Sequence, residues 1–142
     1  MRIFVVAVGK LKERALRTLA DDYLERIRRY CRCDEIEVRE SADLSRQLGR
    51  LSTTVALEVD GRSLSSSQLS RELERWGRRG KGDVGFVIGG ADGLPQALSQ
   101  AADERLSLST LTLPHQLARV LLLEQLYRSH TLLRGEPYAR EG

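Results

Sequence analysis

The residues best suited to chemistry lie in three short stretches of the second half of the chain. The first reads Leu-Ser-Leu-Ser-Thr-Leu-Thr-Leu-Pro-His-Gln from residue 106 to residue 116. Proline suits the first helical position, because it has no N–H to leave unpaired and its φ is fixed. Leu113 before it has no side-chain oxygen to cap the helix, so the free N–H groups of the first turn could bind a ligand. An ordinary loop–helix junction capped by Thr112 is the alternative.

The second stretch is Gly-Gly-Ala-Asp-Gly at residues 89–93, directly after the apolar residues Phe86, Val87 and Ile88. A glycine-rich turn between a strand and a helix lets the backbone approach a ligand closely. The spacing matches neither the dinucleotide-binding fingerprint nor the phosphate-binding P-loop. A nucleotide-binding α/β protein and a plain tight turn both stay open at this point.

The third stretch is the tail, which reads Arg-Gly-Glu-Pro-Tyr-Ala-Arg from residue 134 to residue 140. Pro137 stiffens the chain next to Tyr138, whose ring can stack on a base, and Arg140 can bind a phosphate or a developing oxyanion. A frayed end is the alternative. His115, in the first turn of the last helix, is a further candidate, whereas we interpret His130 as structural.

The elements that must position these stretches follow from the hydrophobic pattern. Residues 3–8 form a continuous apolar run, typical of a strand buried on both faces of a parallel sheet. Further strands are predicted at residues 35–39, 53–59 and 84–88 and near residue 108, with a turn at Asp60 and Gly61. Helices are predicted after residue 10, near residues 44–51, after residues 65–67, at residues 94–102 and after Pro114. This alternation predicts one α/β domain over residues 1–142, with a mainly parallel, right-handed sheet flanked by helices.

Composition narrows the function classes. Hydrophobic residues make up 41% and charged residues 30% of the chain, as in a globular domain. Cys31 and Cys33 are too close in sequence to form an unstrained disulfide, and no metal-ligand spacing is present. Basic residues outnumber acidic ones eight to four over residues 10–32, which favours a polyanionic partner. No export signal or membrane span is visible, so we expect a cytoplasmic location.

The last helix is apolar on more than one side, with Leu117, Val120, Leu121, Leu122 and Leu123 in succession. Such a helix is buried either against a partner subunit or as the central helix of a monomer. Glu124 and Arg128 are spaced to form an ion pair on this helix.

Four segments together carry a resemblance: the glycine turn, residues 106–128, the Pro-Tyr-x-Arg ending and the opening Val-Ala-Val-Gly-Lys. They resemble the pseudouridine N3-methyltransferases of bacterial large-subunit ribosomal RNA, which are small enzymes of the SPOUT class. The resemblance implies a SPOUT-type α/β fold with a C-terminal trefoil knot. It also implies a homodimer in which the cofactor pocket of one subunit and the tail of the other share an active site. The reaction would be methyl transfer from S-adenosylmethionine to N3 of a pseudouridine in 23S ribosomal RNA, on assembled ribosomes.

The resemblance also assigns roles to residues. Residues expected to contact S-adenosylmethionine are Leu57, Gly90, Leu108, Ser109, Thr110, Leu111, Thr112, Leu113 and Pro114. Residues expected to act on the substrate are Arg140, Tyr138 and His115, and no metal is expected. The family's tail usually reads Pro-Tyr-His-Arg, whereas this chain has Ala139, and its glycine turn usually continues with proline, whereas this chain has Ala91. Ala139 supports the alternative of a catalytically silent ribosome- or RNA-binding dimer with the same fold.

Overall fold

A five-stranded, fully parallel sheet forms the centre of the molecule. The computed structural model describes the backbone of residues 1–141 and the side chains of residues 1–139. The strands are β1 (Arg2–Val8), β2 (Arg32–Val38), β3 (Thr53–Ser63), β4 (Asp83–Ile88) and β5 (Glu104–Ser107), in the spatial order β2-β1-β4-β3-β5. This confirms the predicted fold class.

Helices cover both faces of the sheet. They are α1 (Arg14–Ile27), α2 (Leu44–Leu48), α3 (Ser66–Gly77), α4 (Gln96–Ala101) and α5 (His115–Leu133), with short 3-10 segments at Ser41–Asp43 and Pro137–Glu141. The larger apolar cluster joins α1, α3 and α5 to one face, and the smaller one joins α2 and α4 to the other. Every residue of β4 is buried, because helices cover it on both sides. None of the described helices is long and apolar enough to cross a membrane.

The predicted turn at Asp60 and Gly61 is wrong, because β3 continues to Ser63. The pairing of β3 with β5 shifts register between Leu57 and Arg62, so the intervening residues bulge out of the ladder. A Cβ at Gly61 would lie 2.8 Å from the backbone of Arg105 and Leu106. The glycine therefore permits close approach of β5 instead of reversing the chain.

The start of α5 differs from the prediction by one residue. Pro114 keeps an extended conformation (φ −56°, ψ 135°) as the N-cap, and the helix begins at His115. No described side chain caps this helix, so the Thr112-capped junction is also wrong. The start of α3, in contrast, has a full capping box between Ser65 and Gln68.

Candidate cofactor pocket and tail

A cavity opens at the carboxyl edge of the sheet, beside the middle of β3 and the end of β4. Ligands of parallel α/β sheets bind at this edge, where the loops that follow the strands come together. Three segments meet here: the part of β3 beyond its last pairing with β4, the glycine turn after β4 and the loop after β5. The first turn of α5 completes the wall through His115 and Ala118.

The structure brings together most, but not all, of the residues assigned to the cofactor. Those that line the cavity are Leu57, Gly90, Leu108, Ser109, Leu111 and Leu113. The remaining three, Thr110, Thr112 and Pro114, are exposed and do not line it. Three segments distant in sequence thus converge on one cavity, and the cofactor-binding roles of the individual residues stay predictions.

Two positions of the glycine turn require glycine for structural reasons. A Cβ at Gly89 would overlap the backbone of Gly93, and Gly93 itself has φ +78°, which favours glycine. The Gly93 N–H donates to the Gly90 carbonyl at 3.0 Å and closes the turn. The tight turn and the ligand-binding wall are therefore the same feature, because Gly90 lines the cavity.

Hydroxyl groups in the loop after β5 hold the loop itself. The Ser107 hydroxyl donates to the Ser109 carbonyl at 2.9 Å, and the Leu111 N–H donates to the Ser109 hydroxyl at 2.9 Å. Such serine turns fix the backbone locally. Because no described side chain caps α5, the N–H groups of its first turn remain available to a ligand at the positive end of the helix dipole.

Glu58 is the charged group of the cavity wall that the sequence did not single out. Its Oε2 accepts a hydrogen bond from the Ser99 hydroxyl at 2.9 Å, which positions the carboxylate. Only its place directly after Leu57, at the end of a predicted strand, could have indicated it. Other lining residues that the sequence did not assign are Val59, Ile88, Gly89, Gly93, Leu94 and Ala118.

The cavity fits S-adenosylmethionine. Leucine side chains offer an apolar wall to the adenosyl group, and backbone groups of the two loops offer hydrogen bonds. The Glu58 carboxylate suits a ligand that carries positive charge and ribose hydroxyls.

The tail packs against the middle of α5, beyond the turns that line the cavity. The Tyr138 hydroxyl donates to Glu124 Oε2 at 2.8 Å, and Arg128 forms an ion pair with the same carboxylate at 2.9 Å. The Tyr138 ring lies 4.6 Å from the ring of Tyr127, centroid to centroid, in an edge-on arrangement. Burial and the hydrogen bond to Glu124 raise the pKa of Tyr138, so its phenol stays protonated at neutral pH.

All four tyrosines of the chain belong to the aromatic cluster that surrounds this tail. Tyr23 and Tyr30 of the α1 side lie 6.1 Å and 6.3 Å from Tyr127, and Tyr138 covers Tyr127 from the tail. Buried His130 stacks on Tyr30 at 5.0 Å, in keeping with a structural role. The Arg140 side chain, assigned to the substrate from the sequence, lies outside the described residues.

Within one chain, the tail and the cavity contact different parts of α5. Glu124, which holds Tyr138, comes nine residues after His115. This separation corresponds to about 14 Å along a helix at 1.5 Å per residue. The structure therefore does not bring Tyr138 to the cavity of its own chain.

Buried Arg119 ties α5 to the ends of β1 and β2. Its side chain is 1% exposed and contacts the carboxylates of Glu35 and Glu37. Its Nη2 donates to the Gly9 carbonyl at 2.8 Å. Arg17 of α1 pairs with Glu35 at 2.6 Å, so two cations and two carboxylates balance in this network. No pattern in the sequence indicated this network.

The fold and the cavity define an α/β protein whose ligand site is built from loops at the carboxyl edge of a parallel sheet. Solved structures share this fold. A probable methylase family protein from Haemophilus influenzae matches with a TM-score of 0.65 at 10% identity, over 96% of this chain and 69% of that one. A putative methyltransferase from Legionella pneumophila, solved with bound SAM, matches with a TM-score of 0.51 at 11% identity, over 89% of this chain and 65% of that one.

The chain belongs to the SPOUT methyltransferase family. A family model described as a predicted SPOUT methyltransferase matches residues 1–139. The ribosomal RNA large subunit methyltransferase H of Sorangium cellulosum is 56% identical over 98% of this chain and 99% of its own length. The protein of the same name from Acetivibrio thermocellus is 42% identical over 99% of this chain and 100% of its own. These findings confirm the resemblance, the SPOUT-type fold class and the methyltransferase class predicted from the sequence, whereas the trefoil knot stays a prediction.

Proposed function

We propose that this protein transfers a methyl group from S-adenosylmethionine to N3 of a pseudouridine in large-subunit ribosomal RNA, in the cytoplasm and on assembled ribosomes. The observation that carries this proposal is that β3, the glycine turn and the loop after β5 meet at one cavity at the carboxyl edge of the sheet. The names of the two relatives support an RNA substrate, and both relatives match this chain over nearly their full length.

S-adenosylmethionine supplies an electrophilic methyl group when it is bound. The contribution of the chain is then mostly positioning, which supplies a large share of the rate enhancement when reacting atoms are held in line. Leu57, Leu108 and Leu113 bury the apolar part of the ligand and exclude water, and His115 orients groups at the rim of the cavity by hydrogen bonding.

The tail acts on the substrate. N3 of a pyrimidine ring must lose its proton, and the negative charge then spreads to the ring oxygens. Arg140 stabilises this charge. The Tyr138 hydroxyl donates its hydrogen bond to Glu124, so Tyr138 contributes its ring, which can stack on a base. Ala139 has no proton-accepting group, so the proton is taken by a group other than residue 139.

The active site is shared between two copies of the chain. Leu117 and Leu121, one turn apart on α5, are 38% and 37% exposed and form an apolar surface beside the pocket. An antiparallel pairing of two α5 helices would bring the tail of each copy towards the cavity of the other. This arrangement accounts for the distance of about 14 Å between His115 and the tail in one chain.

A methylation assay tests the proposal. Purified protein, radiolabelled S-adenosylmethionine and ribosomes that lack the modification should yield labelled large-subunit RNA, and calorimetry should show cofactor binding. Absence of both would refute the proposal. Arg140→Ala should abolish transfer and leave cofactor binding nearly intact, whereas the matched control Arg134→Ala, in the same segment, should keep transfer. Equal loss of transfer and cofactor binding in Arg140→Ala would mean that the tail is structural.

A second candidate function is favoured by Ala139 alone: a catalytically silent dimer that binds ribosomal RNA. Cofactor binding does not separate the two candidates. A turnover measurement does, because the silent protein binds RNA and transfers no label.

A further inference from the structure

We propose that the segment after β1 binds the phosphate backbone of the substrate RNA through Lys10, Lys12 and Arg14, alongside the cofactor pocket. The proposal rests on the proposed function for the identity of the RNA. The ligand expected at this segment is a polyanion that crosses the carboxyl edge of the sheet from β1 to β4 and β3.

This basic segment shares an edge with the cavity. β1 and β4 are neighbouring parallel strands, so Val8 at the end of β1 lies beside the glycine turn that follows β4. A Cβ at Gly90 would lie 3.4 Å from Val8 Cγ1, which shows how closely the two segments approach. Lys10 is two residues beyond this contact. Arg39, directly after β2, extends the exposed positive charge along the same edge.

Ion pairs within the protein leave the positive charges at the carboxyl edge of the sheet uncompensated. Further along the basic region, Arg17 pairs with Asp21, Arg26 with Asp22 and Arg32 with Asp34. Lys10, Lys12 and Arg14, in contrast, are exposed and form no ion pair with the described side chains. Glu13 is the one acidic residue between residues 10 and 14, so the segment keeps a net charge of +2.

The backbone of the segment is held in place although its charged side chains are exposed. The Gly9 N–H donates to the Val38 carbonyl at 2.8 Å, and the Gly9 carbonyl accepts from Arg119 at 2.8 Å. Leu11 is buried, and its N–H donates to Glu37 at 3.2 Å. A fixed backbone lowers the ordering cost of binding. Because Glu37 also contacts Arg119 and Arg17, its charge is compensated within the protein.

The arrangement suits an extended polyanion. The three cations line an open edge and do not enclose a cavity, so each can contact a different phosphate. Phosphate contacts position a nucleic acid without reading its sequence, and each one releases counterions. The flanking phosphates of the target nucleotide would then fix the RNA next to the methyl donor.

The test compares two triple variants with the same loss of charge. One carries Lys10→Ala, Lys12→Ala and Arg14→Ala. The control carries Arg46→Ala, Arg50→Ala and Lys81→Ala, three exposed residues away from the carboxyl edge that form no ion pair with the described side chains. The probe is purified large-subunit ribosomal RNA, and its Kd is measured at several salt concentrations.

The edge variant should bind the RNA roughly tenfold or more weakly at low salt, and the slope of log K against log salt should fall by about 2 to 3. The control should change the Kd less than threefold and leave the slope nearly unchanged. Equal weakening by both variants, no weakening by the edge variant, or no salt-dependent RNA binding by the unmodified protein would each overturn the proposal.

Calorimetry with S-adenosylmethionine serves as the folding control, because the edge variant keeps every lining residue of the cavity. Its cofactor affinity should equal that of the unmodified protein. If the unmodified protein binds RNA through this edge and yet transfers no methyl group, the proposed function fails and the RNA-binding edge stands. If transfer is normal and the edge variant binds RNA normally, the edge proposal fails alone.

Discussion

Replacing Arg119 with methionine should lower the free energy of unfolding by about 3 kcal/mol. Arg119 is 1% exposed, and its removal leaves the carboxylates of Glu35 and Glu37, 9% and 24% exposed, with Arg17 as their remaining cation. Removing one partner of a buried ion pair typically costs about 3–5 kcal/mol. We take the lower end because Arg17 still neutralises one carboxylate. The Gly9 carbonyl also loses its hydrogen bond from Arg119.

Urea unfolding at constant protein concentration measures this loss, and thermal unfolding should show a melting temperature lower by roughly 6–12 °C. Concentration must be fixed because the proposed dimer would contribute to the apparent stability. The matched control is Arg78→Met, which removes an ion pair with Glu74 whose arginine is 75% exposed, and it should cost at most about 0.5 kcal/mol.

A compensating variant separates charge from packing. Arg119→Met combined with Glu37→Gln restores the balance between Arg17 and Glu35, so it should recover at least half of the lost stability. A loss below about 1 kcal/mol in Arg119→Met, or no recovery in the double variant, would refute the assignment of a buried ionic network at this position.

Two further predictions concern His130 and Glu58. Burial, reinforced by the Arg134 guanidinium, lowers the pKa of His130 to about 4, so the unfolded chain takes up a proton there between pH 6.5 and 4 and the folded protein does not. The contribution of His130 to the free energy of unfolding is therefore complete above pH 6.5 and falls by about 2 kcal/mol by pH 5. Urea unfolding at pH 7 and pH 5 should show a smaller loss of stability in His130→Phe than in the unmodified protein. Identical losses in the two proteins would contradict this prediction. Glu58→Gln should weaken S-adenosylmethionine binding about tenfold in calorimetry, since a charge-assisted hydrogen bond contributes about 1.5–3 kcal/mol. The melting temperature should not change. An unchanged affinity would show that Glu58 is not part of the binding site.

The parallel sheet could be predicted because buried parallel strands are continuous apolar runs, as in β1 and β4. Gly61 shows where this reasoning fails. A glycine after an acidic residue is typical of a turn, yet the same absence of a Cβ also permits a close approach of two strands. Only the position of β5 decides between these two uses, and sequence spacing does not contain it.

The site was predictable where local pattern and chemistry coincide, as in the loop after β5. Glu58 and Arg119 were missed for a different reason. A single charged residue in an apolar strand or helix has no periodicity, and its meaning depends on partners far away in the chain. Glu35 and Glu37 alternate with apolar residues as solvent-facing residues would, yet they contact Arg119 more than 80 residues later.

The single tryptophan and the four tyrosines give the protein two optical reporters of different parts of the fold. Trp76 is 1% exposed and packs edge-on against Phe86, so its fluorescence reports on the sheet core. One tyrosine lies on the tail and the other three lie in the aromatic cluster beside it. Their near-ultraviolet dichroism therefore reports on the packing of the tail against α5. Detachment of the tail as a local opening would change the tyrosine signal before the tryptophan signal, without any label. Unfolding curves recorded at both chromophores therefore show directly whether the tail and the core come apart in one step or in two.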